Sequence, residues 1–189
     1  KLIKEGWFED SPFHRVINHF MIQGGGNKDG RPDPGYKVPA EFLPHKYVHL
    51  KGQLAAARQG DNVNPQKASS GSQFYIVQGK KQNKQALQMM EQRINQSIIR
   101  PLIEDFMFQP QNAAYYKRKA EGKQWTEFHY TPEQIAAYEK IGGTPHLDGT
   151  YTVFGRITKG LEVIDKIAAV KTGAANKPVN DVKMKIKLK

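Results

Sequence analysis

The 189-residue chain has no cysteine. That absence excludes disulfides, thiolate nucleophiles and cysteine-ligated zinc, and it says nothing of compartment. There is also no apolar run of the ~20 residues a helix needs to span a bilayer, and no internal repeat. The first residues, Lys1-Leu2-Ile3-Lys4-Glu5-Gly6-Trp7, carry neither an initiator Met nor signal-peptide character, as in a processed product or a fragment. Acidic groups are the scarcer sign: 18 Asp and Glu face 29 Lys and Arg, a formal net charge of +11. A basic surface attracts polyanions weakly and in a salt-sensitive way. Here the cations are spread along the chain like ordinary solvated lysines, so nucleic acid is not expected as a partner.

Motifs of several common chemistries are missing too. Gly24-Gly25-Gly26-Asn27-Lys28 lacks the Gly-Lys-Ser/Thr ending of a phosphate loop. His45 and His49 stand four apart, but Pro44 precedes them and no Glu completes a zinc-protease pattern. Ser70 and Ser72 have no base in a Ser-His-Asp order. Neither metal nor cofactor is expected.

What is present divides the chain into three segments. Residues 1–79 hold short apolar runs and glycine. Residues 2–6 look like the last turn of a helix stopped at Gly6, and 13–18 and 20–23 like two short strands meeting at a bend near Asn18-His19. Residues 24–47 are loop by composition, 52–57 a small-residue strand, and 72–78 a further strand after a polar loop. Residues 80–143 are helical in character. Leu87, Met90, Ile94 and Ile98 recur at spacings of three and four. Pro101 is expected to kink or restart that helix, and 113–120 could form a second. Thr131-Pro132-Glu133 is a helix start running to Lys140 and ending at Gly142-Gly143. Residues 144–189 have the character of the first segment again. They hold a strand over 151–157, a helix over 160–169 with Leu161, Ile164, Ile167 and Ala168 on one side, and a strand over 181–188. In that last strand lysines alternate with Met184, Ile186 and Leu188, the period of a strand with one buried face. The lysines also discourage edge pairing.

Two stretches carry the chemistry. Phe13-His14-Arg15-Val16-Ile17, followed by Phe20-Met21-Ile22-Gln23-Gly24-Gly25-Gly26, sets Arg15 and Gln23 among aromatic and thioether side chains. Gly71-Ser72-Gln73-Phe74-Tyr75-Ile76 does the same for Gln73. A permanent guanidinium beside an apolar pocket suits a substrate with a greasy ring and a polarisable amide, such as an X–Pro peptide bond.

With Leu147-Asp148-Gly149 and Thr152-Val153-Phe154-Gly155, these stretches resemble the signature of cyclophilin-type peptidyl-prolyl isomerases, in the same order and over about two thirds of the chain. The resemblance implies a mainly β (α+β) fold, an antiparallel barrel capped by helices with its site on the outer face. Residues 1–79 and 144–189 would form that domain and 80–143 a helical insertion. It also implies that Arg15 is the catalytic arginine and that Phe20, Met21, Gln23, Gln73, Tyr75 and Leu147 are pocket positions. Ala57 and Arg58 match the strand end whose backbone binds substrate, although the family often has Asn at Arg58. Tyr75 replaces a common Phe. His146 stands where many members have Trp, which puts cyclosporin inhibition in doubt, and Tyr151 stands where some have His. Members carry two more strands and most of a helix before the position of Lys1, so an N-terminally truncated barrel is expected. The partners implied are proline-containing peptides and unfolded protein clients. The resemblance points to a bacterial protein of the periplasm or cell envelope. Isomerase activity is expected; a non-catalytic proline-peptide-binding or chaperone module on the same fold is the alternative. The insertion, lying between pocket motifs, is expected to line one side of the groove.

Overall fold

The computed structural model describes residues 1–31, 33–108 and 127–188. Its centre is a five-stranded antiparallel sheet in the order β2-β3-β7-β5-β8. Its strands are β2 (Arg15–Ile17), β3 (Met21–Gly24), β5 (Gln53–Ala56), β7 (Phe74–Val77) and β8 (Val153–Arg156). The bend between β2 and β3 falls where the sequence places it, with His19 in the left-handed region at φ 62°. Three two-residue strands from segments that the sequence does not mark as strand lie outside this sheet. β1 (Ser11–Pro12) pairs with β9 (Lys183–Met184), and β4 (Lys37–Val38) with β6 (Ser69–Ser70). They escape sequence reading because two residues carry no period. The terminal strand is shorter than expected for the same reason of pairing: β1 offers only two partners. Met184 is buried and Ile186 half-buried, as the alternation requires, but Leu188 is 58% exposed.

The N-terminal turn confirms a helix-ending geometry. Gly6 has φ 69°; its N–H donates to Ile3 O and the Trp7 N–H to Leu2 O, the paired bonds of a Schellman cap. Trp7 Nε1 then reaches Gly25 O at 3.0 Å and ties this turn to the end of β3.

Period two sorts the central sheet into two faces. Val16, Ile22, Ile76 and Leu54 pair in a row on one face. Against it packs α3 (Leu161–Ala168), with Ile164 and Ala168 buried and Leu161 and Ile167 beside them. The opposite face carries Met21, Ala55, Tyr75 and Val77.

The helical segment forms a third cluster. Leu87 and Ile94 of α1 (Lys84–Phe108) are buried with Val48, Phe128, Tyr130 and Tyr138, and Met90 packs beside them. α1 runs through Pro101 without restarting. A proline removes one intrahelical donor and crowds one carbonyl, which a long helix can absorb. The Ile98 side chain and the helix expected over 113–120 lie outside the described residues. α2 (Pro132–Lys140) has the expected Thr131 cap in a full capping box with Gln134. The segment leaves and rejoins the sheet at one point, where the Gly143 N–H donates to Lys80 O (2.9 Å) and the Lys80 N–H to Gly143 O (3.2 Å). Only glycine permits this approach: a Cβ at Gly143 would lie 2.2 Å from His49 O, and one at Gly79 2.3 Å from the Gly143 backbone.

Candidate functional site

Strand register builds the site. Arg15 lies opposite Gln23, Gln23 opposite Tyr75, Tyr75 opposite Ala55, and Ala55 opposite Val153. Residues directly opposed on antiparallel strands share a face, so a cation, an amide and a phenol stand in one line across the sheet. One row further, Ile17, Met21 and Val77 are aligned in the same way.

On this face lies an open cleft of about 360 Å³. Met21 and Tyr75 are buried in its floor. Phe20, Ala57, Leu147 and Tyr151 supply apolar wall, and Arg15, Gln23 and Arg58 its polar edge. Leu147 is delivered by a single 3-10 turn, Pro145–Leu147. Residues from positions 15 to 151 thus converge, nine of the eleven expected ones. The other two adjoin it. Gln73 accepts from Gln23 Nε2 at 3.2 Å and also lines a neighbouring hollow of about 550 Å³ with Phe74 and Phe154. The His146 ring packs on Phe20, centroids 5.3 Å apart.

Arg15 Nη1 donates to Gln23 Oε1 at 3.4 Å, so the two glutamines form a relay that holds the guanidinium at the cleft edge. Arg58 is a fixed wall instead of a free arm. Its guanidinium lies 4.4 Å from the centre of the Tyr151 ring, Nε donates to Thr150 O at 3.1 Å, and Nη1 donates to Asp61 at 2.5 Å. That pairing holds the Asp61 carboxyl below its ordinary value. The Ala57 backbone is engaged within the chain, its N–H with Gln73 O and its C=O with Ser70 N. Burial is the main cause that pushes the Tyr75 phenol up and holds His146 down; His49 adds to the latter. Burial, then Arg15, lowers His14.

The two histidines four apart serve other ends. His45 packs edge-on against Phe128, and His49 is buried against Asp148. Among the described residues none of 80–143 lines the cleft. Those that are described cover Val48 and Leu50. What sequence reading missed is Asp148, quoted in a motif without a role, and the phenols of Tyr130 and Tyr138 that reach it. An acid placed directly after a pocket leucine was the available signal.

The family model described as cyclophilin type peptidyl-prolyl cis-trans isomerase/CLD matches residues 1–90 and 138–187. A Streptococcus pyogenes protein named as a bifunctional phosphatase/peptidyl-prolyl cis-trans isomerase is 35% identical over 188 residues, which are 96% of this chain. The chain spans only 31% of that protein's length. A Staphylococcus haemolyticus protein named as a peptidyl-prolyl cis-trans isomerase is 34% identical over 184 residues, covering 95% of this chain and 71% of that protein. Among solved structures, a Cryptosporidium parvum cyclophilin type peptidyl-prolyl cis-trans isomerase aligns with a TM-score of 0.56 and 18% identity, over 97% of this chain and 75% of that one. The same protein in the presence of the dipeptide Ala-Pro gives 0.55 and 17%, over 97% and 77%. The chain belongs to the cyclophilin-type peptidyl-prolyl cis-trans isomerase family and has its fold.

Proposed function

We propose that the chain accelerates cis–trans rotation about X–Pro bonds by electrostatic stabilisation centred on Arg15. The observation that carries this is the guanidinium itself, held by Gln23 at the edge of a cleft floored by Met21 and Tyr75. Rotation is slow because the nitrogen donates into the carbonyl, giving a barrier of ~18–20 kcal/mol. In the twisted transition state that conjugation is lost and the nitrogen becomes pyramidal and basic. A donor aimed at it is worth more there than in the ground state, which is what lowers a barrier. Arg15 is an always-charged planar fork of donors, able to serve the proline nitrogen with one arm and the adjacent carbonyl with the other. Preorganised donors of this kind contribute ~3–4 kcal/mol in a partly dry site. Phe20, Met21, Tyr75 and Leu147 bury the pyrrolidine ring, worth about 1.5–3 kcal/mol for a group of that size.

At the strand end the Arg58 backbone, which makes no hydrogen bond among the described residues, is the group left to pair with the peptide. The Ala-Pro dipeptide named with the Cryptosporidium relative supports a proline ligand. We also read 80–143 as a segment inserted into the isomerase fold, on the strength of the Lys80–Gly143 pairing that joins its ends.

A protease-coupled proline-peptide assay on wild type and Arg15→Ala tests the catalytic reading. Turnover that falls about a hundredfold with little change in peptide affinity supports it. Binding without turnover in the wild type would make the chain a peptide-binding module.

A further inference from the structure

We infer that Asp148, with Tyr130 and Tyr138, is a positioning device that sets the peptide cleft from the helical side of the molecule. This rests on the isomerase reading above. The Asp148 side chain is fully buried. Its Oδ1 accepts from the His49 backbone N–H (2.7 Å) and from His49 Nδ1 (2.8 Å). Its Oδ2 accepts from the phenols of Tyr130 and Tyr138, both at 2.7 Å. Burying a carboxylate is costly unless donors replace its water; here four do, from three residues.

The hub touches both working surfaces of the cleft. Asp148 directly follows Leu147, the cleft wall, and its own N–H closes the 3-10 turn onto Pro145 O at 3.1 Å. That turn also carries His146 onto Phe20. His49, held by the same carboxylate, stacks on the Tyr75 floor with its ring 6.1 Å away and 12° from parallel. None of the three donor residues lines the cleft, and two of the four donors come from the helical segment. Burial and the Asp148 charge push both phenols well up, so both remain protonated donors. Losing either hydroxyl leaves the carboxylate short of a donor and frees the turn to shift. The wall on which the proline ring packs then loses its fixed place.

The test is a double-mutant cycle between Tyr138→Phe and Leu147→Ala, read both as KM for an Ala-Pro tetrapeptide anilide and as Kd for the same peptide. Tyr130→Phe serves as a second probe; either Phe keeps its ring in the cluster. Alone, each Tyr→Phe change is expected to raise KM and Kd about threefold to tenfold, the effect of one charge-assisted hydrogen bond. On the Leu147→Ala background the same change should move them by less than about twofold, since the wall it positions is gone. Equal effects on both backgrounds would overturn the inference. So would a lower melting temperature with KM and Kd unaltered, the mark of a merely structural bond. A wild type that binds the peptide without turning it over defeats the isomerase reading alone, and the cycle on Kd still decides the coupling. No binding at all would overturn both.

Discussion

Arg15 owes its place to the residue across the strand from it. Gln23 is its register partner and its hydrogen-bond acceptor, so side-chain direction and charge placement follow from one pairing. Arg15→Ala should therefore lose about a hundredfold in turnover while peptide affinity changes far less. Arg15→Lys should recover only part of it, because an ammonium lacks the planar fork. Full activity of the lysine variant in the same assay would mean that charge alone suffices. His146 adds a pH dependence. His146 is exposed on one side, and partial desolvation on the other, with His49 adding to it, keeps its pKa below the ordinary ~6.5. A group whose folded pKa is depressed contributes stability that is complete above its unfolded value and is lost as pH falls through the folded one. The wall should thus hold above about pH 6.5 and loosen below it. His146→Phe keeps the ring contact and should flatten the acid limb of a KM–pH profile. A limb of unaltered depth would remove His146 from this role.

At the scale of elements, the junction of the helical segment with the sheet is set by backbone approach. Gly143→Ala puts a methyl 2.2 Å from His49 O and 2.5 Å from Tyr138 Cε1. Such overpacking typically costs about 1–3 kcal/mol, and here it pushes on two of the three residues that hold Asp148. A drop in urea midpoint at unchanged slope is expected; an unshifted midpoint would show that the junction yields freely. These elements differ in how readable they were. β2, β3, β5, β7 and β8 announced themselves as short runs of apolar or small residues between turn signals, and α2 through Thr131, Pro132 and Gly142. β1, β4 and β6 are two residues each and exist only because a distant segment meets them. Pro101 signalled a kink or a restart, whereas α1 continues through it as one helix.

For the whole molecule, one sheet serves two purposes. Its Val16–Ile22–Ile76 face is closed by α3, and α3 is tied back through Asp165, which pairs with Lys51 at 2.6 Å and accepts from Gln78 at 3.1 Å. Its other face is left open for the cleft. α1 and α2 cover Val48, and the helical segment supplies half the donors to Asp148. Deleting 82–141 is therefore expected to lower both the melting temperature and turnover on peptides and on unfolded proteins. Unaltered activity in both assays would show that the segment has no part in the site.

The order of amino acids by itself determined the family, the catalytic candidate and nearly every wall of the cleft. Arg15, Gln23, Gln73 and Tyr75 sit in short contiguous motifs, and local alternation already says which of them share a face. Only the tertiary structure decided that the helices pack over Val48, and that Asp148 is buried among Tyr130, Tyr138 and a histidine 99 positions away. Burial and register between distant segments depend on which surfaces meet, and no local period encodes that.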